Sequence, residues 1–206
     1  AATDRLARLR VHVFAGNGDF DAYEPRLELY NHGTDESVVW AGLEDLQWLY
    51  GETGRRENRL AEIGAKKVTR AVAEKHADLR PIVALFSECH ELFGCTEKMD
   101  PDGPKDATVG KAAADYAVKT LRRARKTGIV LGFDTQQARS DAIPPKIVGI
   151  VGVNFCFSVK SWRDNDGFLG DGSFAAGIRA TELRFNVDRG TCLVTGVSSE
   201  VFEVMK

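Results

Sequence analysis

The chain has 206 residues, with 28 Lys+Arg against 30 Asp+Glu and a formal net charge of −2. Its 43% hydrophobic and 28% charged content suits a globular chain with a real core and excludes a disordered or collagenous one. No apolar run reaches the ~18 residues that a transmembrane helix needs. A sequence pI near 6.1 excludes a uniformly basic nucleic-acid binder and leaves room only for local basic patches. Cys89, Cys95, Cys156 and Cys192 form no CxxC or Cys/His cluster, so structural zinc is not expected and free thiols of a reducing compartment are. The start, Ala1-Ala2-Thr3-Asp4, has neither Met nor a signal-like apolar region and reads as a cut-down segment.

In chain order, the alternating run from Leu9 to Phe14 closes in Ala15-Gly16-Asn17-Gly18-Asp19 and predicts a strand followed by a loop. From about Asp35 to Ile63, Val38, Val39, Leu43, Leu46, Leu49, Leu60 and Ile63 recur at helical spacing, predicting a long amphipathic helix with a break near Gly51 and Gly54. Trp40 and Trp48 on that helix read as packing residues. A shorter helix covers Lys67 to Lys75. Pro81 to Phe86 is apolar without alternation, as in a strand buried on both faces of a parallel sheet. Glu97 to Val109 reads as a mobile loop, and Gly110 to Lys126 as a helix whose basic end and following Gly128 suit the helix dipole and a glycine stop. Ile129 to Phe133 is a further parallel-type strand, Phe155 to Val159 another strand, and Thr191 to Thr195 with Val201 to Val204 a closing pair. Helices alternating with fully apolar strands predict an α/β architecture.

Ligands of open α/β sheets bind beyond the carboxyl ends of the strands. Two such ends are polar here: Ser87-Glu88 after Phe86, and Thr135-Gln136 after Phe133. A carboxylate there can orient or deprotonate a water, and a glutamine can hold that water or a phosphate oxygen in line, which is what nucleotide hydrolysis needs. On spacing alone the plainer alternative stays open: Glu88 as a helix N-terminal acid and Gln136 as a turn residue. A phosphate cradle of the form G-x-x-x-x-G-K-[ST] does not occur in the chain, and Gly103…Gly110-Lys111-Ala112 does not replace it. The residues alone give half of a nucleotide site.

Those residues nevertheless form a resemblance. The stretch from Arg80 to Phe93, with Ser87-Glu88-Cys89-His90-Glu91-Leu92-Phe93 at its end, resembles the Walker B strand of the FtsK/SpoIIIE family of DNA-pumping ATPases, especially its actinobacterial and plasmid-transfer (TraB-like) branch. Gly128 to Gln137 is similar to the family's strand ending in Ala-Thr-Gln-Arg-Pro, and Asp141-Ala142-Ile143-Pro144 to its following turn. Asn154 to Val159, Leu169 to Gly172, Ala176 to Thr181 and Asp188 to Thr191 look like its closing segments, and Gly16-Asn17-Gly18-Asp19-Phe20 like the turn after the phosphate loop. The resemblance runs the length of the chain in order. It implies a RecA-like P-loop NTPase core, α/β and three-layered with a mostly parallel sheet, truncated on its N-terminal side. Residues 1–206 would be a single motor segment downstream of the phosphate loop.

The resemblance further implies ATP and Mg2+ as cofactors, with Glu88 activating water and Gln136 sensing the γ-phosphate. Ser87 would stand at the magnesium shell, with Thr135 and Arg163 as further nucleotide contacts; Arg163 would reach a neighbouring subunit's nucleotide, its alternative being a surface arginine. The implied assembly is a hexameric ring around double-stranded DNA at the cytoplasmic face of the membrane, serving chromosome segregation or conjugal transfer. Membrane contact would come only through regions absent from this chain. The departures are specific: Ser87 replaces the family's aspartate, Gln137 and Ala138 its Arg-Pro, Asn154 an arginine and Ala15 a lysine. They favour the rival expectation of a degenerate RecA-like subunit that binds partners without hydrolysing ATP. Without a phosphate cradle the chain is not expected to hydrolyse ATP by itself. For DNA, the loops Glu97 to Val109 and Ala138 to Lys146 offer Lys98, Lys105, Arg139 and Lys146, although their aspartates bring the loop charge near zero. The helix from Gly110 to Lys126 is the more basic patch, with a solvated face as its alternative.

Overall fold

The computed structural model describes residues 4–137, 142–196 and 203–205. The chain divides into two compact units, Ala1–Asp134 and Thr135–Lys206.

The first unit is built on four parallel strands in the order β2-β1-β3-β4: β1 (Arg8–Val13), β2 (Leu27–His32), β3 (Ile82–Ser87) and β4 (Ile129–Phe133). The helices are α1 (Glu36–Glu62), α2 (Arg70–Lys75), α3 (His90–Gly94) and α4 (Val109–Thr127). The apolar run before Ser87 becomes β3 because it is flanked on both sides: Ile82, Ala84 and Phe86 are 0% exposed. β1 is also internal, yet its sequence alternates. Its polar residues face α1, where Asp45 receives Arg10 Nε at 2.9 Å and lies 2.9 Å from His12 Nε2. His12 is stacked on Phe86, its ring centroid 4.9 Å away, and Asn31 Nδ2 donates to its Nδ1.

β2 was not foreseen from the sequence. It is a sheet border of half-buried residues, held through Glu28 to Arg8 and Arg10 and through Asn31 to His12, so it lacks the apolar signature of a buried strand. The expected break near Gly51 and Gly54 is absent, and α1 runs unbroken for 27 residues. Leu43, Leu46, Leu49, Thr53, Arg56 and Leu60 keep one buried stripe through both glycines, and continuous packing outweighs the ~1 kcal/mol that each glycine costs a helix. Arg56 is fully buried. It donates to the carbonyls of Thr127 at 2.8 Å and Arg80 at 2.7 Å and to Glu52, tying the entry of β3 to that of β4. α4 is capped by Thr108, whose hydroxyl accepts from the Lys111 N–H, and stopped by Gly128 in the left-handed region at φ 69°. The segment 97–109 is not the free loop expected. Lys98 and Thr108 form an antiparallel bridge, with Met99 N–H donating to Ala107 O and Val109 N–H to Glu97 O.

The second unit contains α5 (Pro145–Val148), β5 (Asn154–Cys156), α6 (Trp162–Leu169), β6 (Cys192–Thr195) and β7 (Glu203–Met205). Its strands form an antiparallel sheet in the order β5-β6-β7. The fourth expected strand is shorter than read, ending at Cys156, and of the closing pair Val201 lies outside the described residues. Cys156, Leu169, Ile178, Ala180 and Leu193 make its core. Asn165, fully buried, donates to Ile178 O and Ser173 Oγ and accepts from Ala180 N–H. Among the described residues no helix is long and apolar enough to cross a membrane.

Candidate active site at the strand tips

β3 and β4 are neighbours in the sheet, with Phe86 opposite Phe133, so the two polar strand ends read from the sequence belong to adjacent strands. Ser87 closes β3 beside Val13 of β1, and its carbonyl accepts from Phe14 N–H at 3.0 Å. Its hydroxyl donates to Asp134 Oδ1 at 2.8 Å. The amide of Glu88 points to the same carboxylate oxygen at 3.4 Å. Asp134 N–H donates to Phe86 O and its carbonyl accepts from Cys89 N–H, so the β4 end is sewn to the β3 end at successive residues.

Glu88 is the only described non-glycine residue with a left-handed backbone, φ 54°. An L-residue there costs about 1–2 kcal/mol, and such strain persists only where the surroundings fix it. The turn sends the chain straight into α3 and leaves the Glu88 carboxylate 3.3 Å from His90 Nδ1, both side chains largely buried. His90 Nε2 lies 3.1 Å from Glu91, so its ring is set between two carboxylates. Glu88 stands two residues before α3, as the plainer reading of a helix N-terminal acid has it, and it is also a buried group, 8% exposed, on a strained strand-to-helix turn. The Asp134 carboxyl, partly stripped of water by the strand ends and facing the Glu88 charge, is raised above the ordinary range, against the bonds from Ser87 and Glu88 that lower it. Cys89, buried beneath them, has its thiol pushed well up by burial and the neighbouring carboxylates and is no nucleophile.

The other sequence-derived candidates fall apart into the two units. Thr135 and Gln136 open the second unit, where Thr135 Oγ1 accepts from Gln137 N–H at 3.0 Å. Lys98 donates to Pro101 O within its own bridged segment, and Lys105 is exposed on the same segment. Lys146 is exposed on α5. Arg163, exposed on α6, lies 5.2 Å from the Trp162 ring and lines an open groove of about 380 Å³ with Pro145, Val148 and Asp166. Arg139 lies outside the described residues, as does Asp141 of the resemblance's turn. The basic helix α4 is partly spoken for, since Arg123 pairs with Glu57 and Lys119 lies over Tyr116. The residues that sequence reasoning missed are Asp134 and His90. Asp134 is legible only once β3 and β4 are known to be neighbours, and His90 only once the turn at Glu88 is.

As a donor set, Ser87, Glu88 and Asp134 offer oxygen only, which fits a hard cation such as Mg2+ and not zinc. Among the described residues no three His, Cys, Asp or Glu side chains are placed to hold a metal by themselves. Magnesium ordinarily takes one or two carboxylates together with substrate phosphates, so these residues suit it only with a nucleotide.

No family model and no curated protein matches the chain. Solved structures do. A pCW3 conjugation coupling protein, TcpA, in its monomer form with ATPγS, is similar over 95% of this chain and 51% of its own, with a TM-score of 0.69 and 20% identity. The cytoplasmic domain of the type VII secretion ATPase EccC of Thermomonospora curvata is similar over 98% of this chain and 22% of its own, with a TM-score of 0.68 and 17% identity. The chain shares its fold with the matching parts of these two proteins. EssC (ATPases 2 and 3) of Geobacillus thermodenitrificans adds a third match, covering 96% of this chain and 32% of its own, with a TM-score of 0.56 and 12% identity. The chain thus spans about half, or less, of the length of these structures. The mixed α/β architecture with its four-stranded parallel sheet is consistent with the RecA-like fold that the resemblance implied.

Proposed function

We propose that the chain is a segment, residues 1–206, of an ATP-driven translocase motor that moves double-stranded DNA, assembling as a hexameric ring at the cytoplasmic face of the membrane in segregation or conjugal transfer. The observation that supports this most is Glu88: a buried carboxylate at the tip of an internal parallel strand, on a strained turn, in a motor fold. In this reading Glu88 takes a proton from the attacking water, while His90 restrains its side chain from the first turn of α3. Ser87 orients the metal side of the tip, and Gln136, with Thr135, reads the terminal phosphate. Mg2+, when bound with ATP, would neutralise phosphate charge during transfer. Arg163 reaches a neighbouring nucleotide, and Lys98, Lys105, Arg139 and Lys146 touch DNA phosphates. The coupling protein and the secretion ATPases of like fold support the motor reading at its coarser level.

The deciding experiment is ATP hydrolysis, with and without duplex DNA, by the natural polypeptide that contains this segment and by its Glu88→Gln variant. Turnover raised by DNA and lowered by about 10²–10⁴-fold in the variant is the expected result, the range for a lost general base. Turnover indifferent to Glu88→Gln overturns it. A second reading, a subunit that binds partners without hydrolysing ATP, is favoured by Ser87 at a position where the family carries an aspartate; absence of turnover in the parent polypeptide selects it.

A further inference from the structure

Position 87 lacks a carboxylate, but the space beside it does not. Asp134 brings one from the neighbouring strand to 2.8 Å from the Ser87 hydroxyl, and with its own backbone it fixes Phe86 and Cys89 on either side of the turn. The Ser87 hydroxyl and the Glu88 N–H reach the same oxygen, Asp134 Oδ1, which anchors the β3 tip. An aspartate at 87 would put a second negative charge against Asp134 at the same spot. Two carboxylates that close cannot both ionise without a large penalty. A hydroxyl at 87 and a carboxylate at 134 are therefore matched as donor and acceptor, whereas carboxylates at both positions would lose that hydrogen bond and face each other as like charges.

We infer that Asp134 is the positioning residue of the strand tip: a carboxylate just past the end of β4 that supplies the charge Ser87 does not carry and holds Glu88 in its left-handed turn. The inference rests on the hydrolytic reading of Glu88 given above. A carboxylate therefore stands at the β3 tip although residue 87 is a serine. Asn at 134 keeps the acceptor oxygen for Ser87 and Glu88 but not the charge, which separates holding the fold from serving the chemistry.

The test is a two-by-two set: the parent, Ser87→Asp, Asp134→Asn and both together. In thermal unfolding of the 206-residue chain, Ser87→Asp is expected to lower the midpoint by about 2–4 °C or more. Adding Asp134→Asn should restore most of that loss, a coupling that independent sites do not show. In ATP hydrolysis by the longer polypeptide, Asp134→Asn should lower kcat about tenfold or more with KM for ATP within about threefold, and the double variant should regain most of kcat. Additive midpoint shifts, or an unchanged kcat in Asp134→Asn, overturn the inference. Should the parent polypeptide not hydrolyse ATP, the functional reading is what fails, and the unfolding set still decides whether the acid is exchangeable between the two strands.

Discussion

Asp45 is 4% exposed and serves Arg10 and His12 at once, while Arg10 lies 4.3 Å over the Trp48 ring. Burial alone would raise its carboxyl, but the bonds from His12 and Arg10 outweigh that and hold it below the ordinary range. A carboxyl depressed on folding contributes stability that is present above its unfolded pKa, near 4, and is lost as pH falls through the lower folded value. Asp45→Asn is therefore expected to cost about 3 kcal/mol at pH 7, the lower end of what breaking a buried ion pair costs. The gap to the parent should narrow as urea unfolding is repeated from pH 5 downward; a constant gap would show that Asp45 acts by shape alone. At this scale the sequence showed Ser87 and Glu88 because strand ends are where α/β chemistry sits. It hid Asp134, whose meaning depends on a strand 47 residues away. His12 was unreadable for the same reason: its partners come from β2, β3 and α1.

Among the elements, those with a strong apolar period were legible and those stabilised by polar pairs were not. β3, β4, α1 and α4 sit close to where the sequence put them, since each buries a stripe or a whole strand. β2 escaped because ion pairs and a border position hold it. The α1 break was wrongly expected because a glycine weakens a helix only where packing does not decide. Gly128 is the opposite case. It ends α4 at φ 69°, and a Cβ there would lie 2.8 Å from the Val68 side chain. Gly128→Ala thus meets both a left-handed penalty of about 1 kcal/mol and a steric one of about 1–3 kcal/mol. A loss of roughly 2–4 kcal/mol in chemical denaturation is expected, and a change below 0.5 kcal/mol would mean that the α4–β4 turn relaxes freely.

For the molecule as a whole, the chain divides into two compact units. The second unit, with its small antiparallel sheet, was the least legible part, because its strands are only three or four residues long and its core depends on loops around α6. In the first unit, β4 borders the sheet and carries Val130, 54% exposed, as its second residue. An apolar border strand is a template for another strand, and natural sheets usually blunt it with lysine or proline. Colloidal behaviour follows from that one residue: light scattered per unit mass of the isolated chain is expected to rise with concentration, through strand-to-strand sticking between copies, and Val130→Lys is expected to flatten that rise while leaving the far-UV circular dichroism unchanged.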